Sequence, residues 1–229
     1  MSEFNIEVEG GKAVRLPTAG KYCDRDIVVT ATGGGSAAPM WLPYIRGCQN
    51  MFDTATFPEN TEFVMELPVG AHNFNYMFRG AKGLKSVKLI THPDSNVTTT
   101  CMITFSGCDA VRIDLSEFNA VITNWTNAFY GANALEEIIG EIGGQNFGNA
   151  FIDCGKLREI RFAEGGILTS ISFAECKSLS DASIQSIIDG LADLTGQTAQ
   201  TLTIRATVGE KLTQAQKDAV SAKNWTLVY

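Results

Sequence analysis

Phe129-Tyr-Gly-Ala132-Asn-Ala-Leu135, Phe151-Ile-Asp-Cys154-Gly-Lys-Leu157 and Phe173-Ala-Glu-Cys176-Lys-Ser-Leu179 state one pattern three times: Phe, a small residue three positions on, and Leu three further. The interval is 22 residues, inside the roughly 20–29 at which repeats with one strand per unit recur. Outward from this stretch, Phe78-Arg-Gly-Ala81-Lys-Gly-Leu84 and Phe105-Ser-Gly-Cys108-Asp-Ala-Val111 follow the same phrase, with Val111 in the Leu slot. Phe52-Asp-Thr-Ala55 opens a degenerate copy in which Pro58 stands where Leu is expected. The anchors Phe52, Phe78, Phe105, Phe129, Phe151 and Phe173 are 26, 27, 24, 22 and 22 residues apart. The surplus falls between motifs, around His72-Asn73 and across Thr91 to Thr100, so the insertions are expected on loops.

Each Leu slot is followed by an alternating run: Leu84-Lys-Ser-Val87-Lys-Leu89, Val111-Arg-Ile113-Asp-Leu115, Leu135-Glu-Glu-Ile138 and Leu157-Arg-Glu-Ile160-Arg-Phe162. A period of two on a short segment predicts a strand with one buried face, and such strands in register predict a parallel sheet. Units of this length bury their apolar face only against neighbours. The outward row is expected to be Glu66, Lys88, Asp114, Ile139 and Arg161, whose alternating charges pair across strands. Such a face reads first as solvated and second as a binding groove. Gly140 to Gly144 reads as a loop between units. Trp125 lies four residues before Phe129, where Phe74 and Phe147 hold the equivalent positions, so it is expected in the core. Cys108, Cys154 and Cys176 share one slot, which suits a small buried filler and predicts free thiols.

The flanks differ. Residues 1–32 read as a small β module: Ile6 and Val8 alternate with polar residues, Gly10-Gly11 offers a reversal, and Ile27 to Thr30 is β-branched. Gly33 to Pro39 is a Gly/Ser/Ala linker by composition. Residues 40–179 form the repeat array, opened by an apolar cap at Trp41, Leu42, Tyr44 and Ile45. Residues 180–229 form a helix and strand cap. There, Ile184, Ile187, Ile188, Leu191 and Leu194 recur at helical spacing behind Ser180 or Asp181, with Gly190 weakening the later turns. Thr201 to Arg205 reads as a strand continuing the repeat sheet, Thr213-Gln-Ala-Gln216 has capping-box form, and Trp225 to Tyr229 closes as a strand covering the last unit.

The chain has 229 residues, 45% hydrophobic and 19% charged, with a formal net charge of −7 and no basic cluster. That balance disfavours nucleic-acid and anionic-lipid partners. Six cysteines form no CxxC pair and only two histidines are present, so neither a metal site nor a cofactor is expected. Glu136 and Glu137 are adjacent strand residues pointing to opposite faces, so they cannot flank one bond. No glycine-rich stretch carries the dinucleotide fingerprint. A non-enzyme is expected. The candidate contact residues are Tyr76, Tyr130 and Thr98, Thr99 and Thr100 of the insertion, because insertions on one face of such arrays often bind.

Asn149-Ala-Phe151-Ile-Asp-Cys154-Gly-Lys-Leu157-Arg-Glu-Ile160-Arg-Phe162 resembles the BspA-like class of bacterial leucine-rich repeats, in which Ala-Phe, Cys, Leu and Ile recur at this spacing. The resemblance runs from Phe52 to Leu179; Pro58 at the Leu slot, and Ala81 and Ala132 in place of Cys, depart from it. It implies an α/β repeat fold, a leucine-rich-repeat solenoid with one parallel strand per repeat. Gly20 to Ala31, Leu212 to Lys217 and Ala222 to Tyr229 resemble segments of tail or baseplate proteins of phages and prophages of gut Firmicutes. The implied function is a non-catalytic binding or display protein, a tail accessory or receptor-binding component. The alternatives are a cell-surface adhesin of gut bacteria and a structural spacer. The implied partners are a protein or glycan on a bacterial or host cell surface, with tail proteins or a second copy at the N-terminal module. Met1-Ser-Glu-Phe lacks the basic start and apolar run of a secretory signal, so a virion or cell-surface location without a signal peptide is expected.

Overall fold

A computed structural model describes the backbone of Asn5–Val8, Lys12–Arg15, Tyr22–Thr32 and Met40–Ile45, and residues 47–67, 69–95 and 97–229 with their side chains. In chain order the elements are β1 (Asn5–Val8), β2 (Lys12–Arg15), β3 (Tyr22–Thr32), β4 (Met40–Ile45), β5 (Thr56–Leu67), β6 (Lys82–Thr91), β7 (Thr98–Thr100), β8 (Arg112–Glu117), β9 (Val121–Asn124), β10 (Glu137–Gly144), β11 (Glu159–Ile167), β12 (Ile171–Phe173), α1 (Asp181–Gly190), β13 (Gln200–Ile204), α2 (Ala206–Gly209), α3 (Gln214–Ala222) and β14 (Trp225–Val228). The fold is α/β, dominated by strands in parallel sheets. The main sheet runs β11-β10-β8-β6-β5-β3-β4. Its members from β5 to β11 pair in parallel, and β3 pairs antiparallel with both β4 and β5. A second parallel sheet is β12-β13-β14, β7 pairs in parallel with β9, and β1 and β2 form an antiparallel pair. The reversal at Gly10-Gly11 and the linker at Gly33 to Pro39 lie outside the described residues.

The turns that feed these strands explain the Phe-x-x-small phrase. In each, the amide three residues after Phe donates back to the Phe carbonyl: Ala55 to Phe52, Ala81 to Phe78, Cys108 to Phe105, Ala132 to Phe129, Cys154 to Phe151 and Cys176 to Phe173. A closure this tight turns the third residue into the core, where it is buried in all six cases and leaves room only for a small side chain. Two residues before and two after the first five Phe anchors, the backbone is left-handed: Asn50 and Thr54, Tyr76 and Gly80, Ile103 and Gly107, Asn127 and Gly131, Asn149 and Asp153. Successive turns are tied by main-chain bonds. Phe52, Phe78, Phe105 and Phe129 donate to the carbonyls of Met77, Thr104, Ala128 and Ala150. The six rings consequently form a buried column with centroid separations of 5.0, 5.6, 5.7, 5.5 and 4.7 Å. Inward strand residues such as Val87, Ile113, Ile138 and Ile160 pack against it, 0–2% exposed.

Several expectations from sequence are displaced. Val111 is 38% exposed and Ala110, 1% exposed, turns inward instead, because five residues separate Cys108 from Ile113 where six separate Ala132 from Ile138. Pro58 is not the Leu equivalent either: Thr61 pairs opposite Leu84, and its hydroxyl donates to the Pro58 carbonyl across an irregularity in β5. The outward row is Val64, Lys88, Asp114 and Ile139, with Glu66 two residues away opposite Ile90. Arg161 faces Glu141, not Ile139, since a bulge interrupts β10 between Glu137 and Glu141. Gly140 to Gly144 belongs to β10 and is not a loop. Gly140 sits at φ 96, where an added Cβ would come within 2.8 Å of the Leu115 carbonyl. The Thr91 to Thr100 insertion ends in strand β7. Thr201 to Ile204 lies in β13, which pairs with β12 and not with the main sheet.

The C-terminal helices follow from their caps. Ser180 caps α1 by accepting from the Ser183 amide, and Thr213 with Gln216 forms the capping box of α3. Helix α1 lies along β11, whose outer amides are met by side chains: Ile160 donates to the Ser183 hydroxyl and Phe162 to that of Ser186, both at 3.0 Å. Gly190 makes the close approach possible, since a Cβ there would stand 2.5 Å from Phe162. The Lys223 ammonium donates to the carbonyls of Ile188, Asp189 and Leu191 at the C-terminal end of α1. Trp225 is buried, with its indole N–H on the Ala192 carbonyl, whereas Tyr229 is exposed and rests its ring on Gly209.

Candidate binding surfaces

The outward face of the main sheet carries charge in cross-strand pairs. Lys88 bridges Asp114 at 3.9 Å and also Glu117, Arg112 pairs with Glu137 at 2.7 Å, and Lys85 pairs with Glu62. The Glu117 carboxylate, by hydrogen bonding, holds the Lys88 ammonium protonated above its ordinary range. Toward β10 and β11 this face deepens into a groove of about 1580 Å³, walled on one side by α1. Glu141, Arg161 and Glu164 line it without an ion pair or side-chain hydrogen bond among the described residues, and Asp189 of α1 accepts from Gln185 at its rim. Because strands and a capped helix carry these groups, their positions are set by the fold and not by loop conformation.

The contact residues expected from sequence do not converge. Tyr130 is 43% exposed, one residue past its Phe anchor. Tyr76 is half-buried two residues before its own anchor, at φ 60, with the Arg79 guanidinium 5.1 Å over its ring. Arg79 in turn forks onto Asp53. Thr98 is exposed, but Thr99 is buried and its hydroxyl oxygen accepts from the Asn73 amide at 2.7 Å. Thr100 is half-buried and donates to Asn75. Trp125 is 2% exposed and its indole N–H donates to the Gly143 carbonyl at 2.9 Å.

The buried thiols of Cys101 and of the three repeat-slot cysteines are structural. Cys101, Cys108, Cys154 and Cys176 are free and buried. Burial pushes the Cys108 and Cys154 thiols up to about 12, and Cys101 and Cys176 in the same direction. The Cys154 thiol donates to the Phe129 carbonyl in the preceding turn at 3.1 Å, and Cys176 points likewise to Phe151. A nucleophile must be a thiolate, and this environment opposes one.

A second cleft, of about 610 Å³, opens on the side carried by β7 and β9. Every side chain lining it is a hydroxyl or a carboxamide, in a chain that is 19% charged. Its row continues from Thr100 through Asn124 and Asn146 to Ser170 and Gln200, joined by a bridge between Asn124 and Asn146 and by the bond from the Ser170 amide to the Gln200 side chain. Of the residues lining it, Thr100 alone is among the contact residues expected from sequence, although a wider signal is present: Asn73, Thr100, Asn124 and Asn146 each stand five residues before a Phe anchor. No family model, curated protein or solved structure matches the chain.

Proposed function

We propose that the chain is a leucine-rich-repeat solenoid of the BspA-like class, one parallel strand per repeat. In this reading it works as a non-catalytic binding and display protein, a tail or baseplate accessory or receptor-binding component of a phage or prophage. The Phe column and the main-chain bonds between successive turns support the solenoid reading, since each turn is completed by the next. The virion assignment rests on the resemblance of the flanks to tail proteins, with residues 1–32 as the attachment module. The observation that carries the binding reading is the groove between α1 and strands β10 and β11, where charge of both signs stands uncommitted on a rigid frame. A protein or glycan on a bacterial surface is the proposed partner.

The test is adsorption of the purified chain to intact gut bacterial cells. Wild type is expected to sediment with cells, and Arg161→Glu, which sets two carboxylates side by side at the Glu141 register, to bind at least tenfold more weakly at unchanged thermal stability. No adsorption to any strain tested would overturn the proposal.

A further inference from the structure

The uncharged cleft beside β7 and β9 has a feature that turn formation alone does not require. Asn124 Oδ1 accepts from both the amide and the hydroxyl of Thr126, Asn146 Oδ1 accepts from the Gly148 amide, and Gln200 Oε1 accepts from both the amide and the hydroxyl of Ser170. A backbone N–H only donates, so in all three carboxamides the oxygen must face the protein and the NH2 group must face away from it. These three nitrogens have no hydrogen-bond partner among the described residues, and neither has the Gln145 side chain. The result is a row of NH2 donors held in place by bonds at the other end of each amide.

The rest of the cleft supplies the complement. Thr123 and Thr169 spend their hydroxyl protons on the Thr99 and Gln145 carbonyls, which leaves their oxygens as acceptors toward the cleft. Val121, 52% exposed on the same face of β9 as Thr123, adds aliphatic surface beside the cleft. Neighbouring strands lie roughly 4.8 Å apart, close to the length of one sugar ring in an extended glycan. Phosphate-rich or acidic polymers would find no cation among the side chains that line the cleft. Alternating hydroxyl oxygens and C–H faces match all three properties: donors, acceptors and aliphatic rim.

We infer that this cleft binds a neutral polysaccharide strand laid across the row from Thr100 to Gln200, with sugar oxygens accepting from Asn124, Gln145, Asn146 and Gln200. The inference rests on the reading of the chain as a surface-binding protein and names a ligand class and a site away from the charged groove.

Asn124→Asp with Asn146→Asp is the decisive variant, because aspartate keeps the oxygen that closes each turn and replaces only the outward donor. The intact chain and this variant are to be titrated with a soluble β-1,4-glucan, an α-mannan and a β-galactan, with polygalacturonate as the acidic counterpart. The expected result is binding of at least one neutral polymer, weakened at least tenfold in the variant, with thermal melting of the variant preserved. Gln145→Ala, which touches no internal bond, is expected to weaken binding in the same direction. Binding of polygalacturonate alone, neutral binding that survives both sets of substitutions, or no binding to any polymer would each overturn the inference. Cell adsorption that persists in the Asp variant with no polysaccharide bound would sink this site and leave the display function standing; polysaccharide binding without cell adsorption would do the reverse.

Discussion

At Phe129 the turn places Asn127 and Gly131 in the left-handed region and seats Leu135 fully buried. At Phe105 the same two backbone positions belong to Ile103 and Gly107, and the chain reaches its strand one residue sooner, with Ala110 inside and Val111 in solvent. Yet both turns close with the same bond from the third residue to Phe, and both hand their Phe amide to the following turn. The difference shows that the main-chain ladder fixes the geometry and the side chains accommodate to it. A β-branched residue in the left-handed region costs about 1–2 kcal/mol, and Ile103 is held there by bonds on either side of it.

The contrast can be broken most forcefully at the aliphatic slot. Leu135→Ala is expected to cost about 2–5 kcal/mol by opening a cavity in the core, while Val111→Ala, at the position sequence spacing equates with it, should stay within about 0.5 kcal/mol. Urea unfolding of the two variants measures this, and comparable losses would mean that Val111 is packed. Next in size is the turn backbone. Ile103→Asn should stabilise by about 1 kcal/mol, since Asn enters the left-handed region readily; a fall in the denaturation midpoint would show that Ile103 packing outweighs its backbone cost. The smallest effect near neutral pH concerns the slot the two halves share. Burial raises Cys108 and Cys154 to about 12 from an ordinary 9.0, so the folded chain keeps protons that the unfolded chain releases. Their contribution is complete below pH 9 and declines as pH rises toward 12. Melting temperature followed from pH 8 upward should fall less steeply in Cys154→Ala than in wild type.

The sequence was most readable where spacing is constant. From Phe129 to Leu157 every slot holds the expected residue, and the caps of α1 and α3 were visible as Ser180 and Thr213 with Gln216. Reading failed where a residue had been gained or lost. A one-residue change is invisible to a search for Phe and Leu at fixed intervals, so Val111 and Pro58 were misplaced, and a bulge at Gly140 disguised β10 as a loop. Binding residues were harder for a different reason. Tyr76 and Tyr130 stand out in the sequence as aromatics and Thr98 to Thr100 as an insertion, whereas the two clefts are built largely from charged, carboxamide and hydroxyl side chains whose significance depends on which of their atoms are already engaged. That information is in the hydrogen bonds and not in residue types.

The serines of α1 bear on how such molecules avoid sticking together. A parallel sheet whose last strand is bare invites any extended peptide to lengthen it. With the Ile160 and Phe162 amides already occupied by Ser183 and Ser186, a foreign strand can dock on β11 only after the helix has lifted away. Resistance to fibre growth at that border is therefore as strong as the grip of one ten-residue helix on its strand.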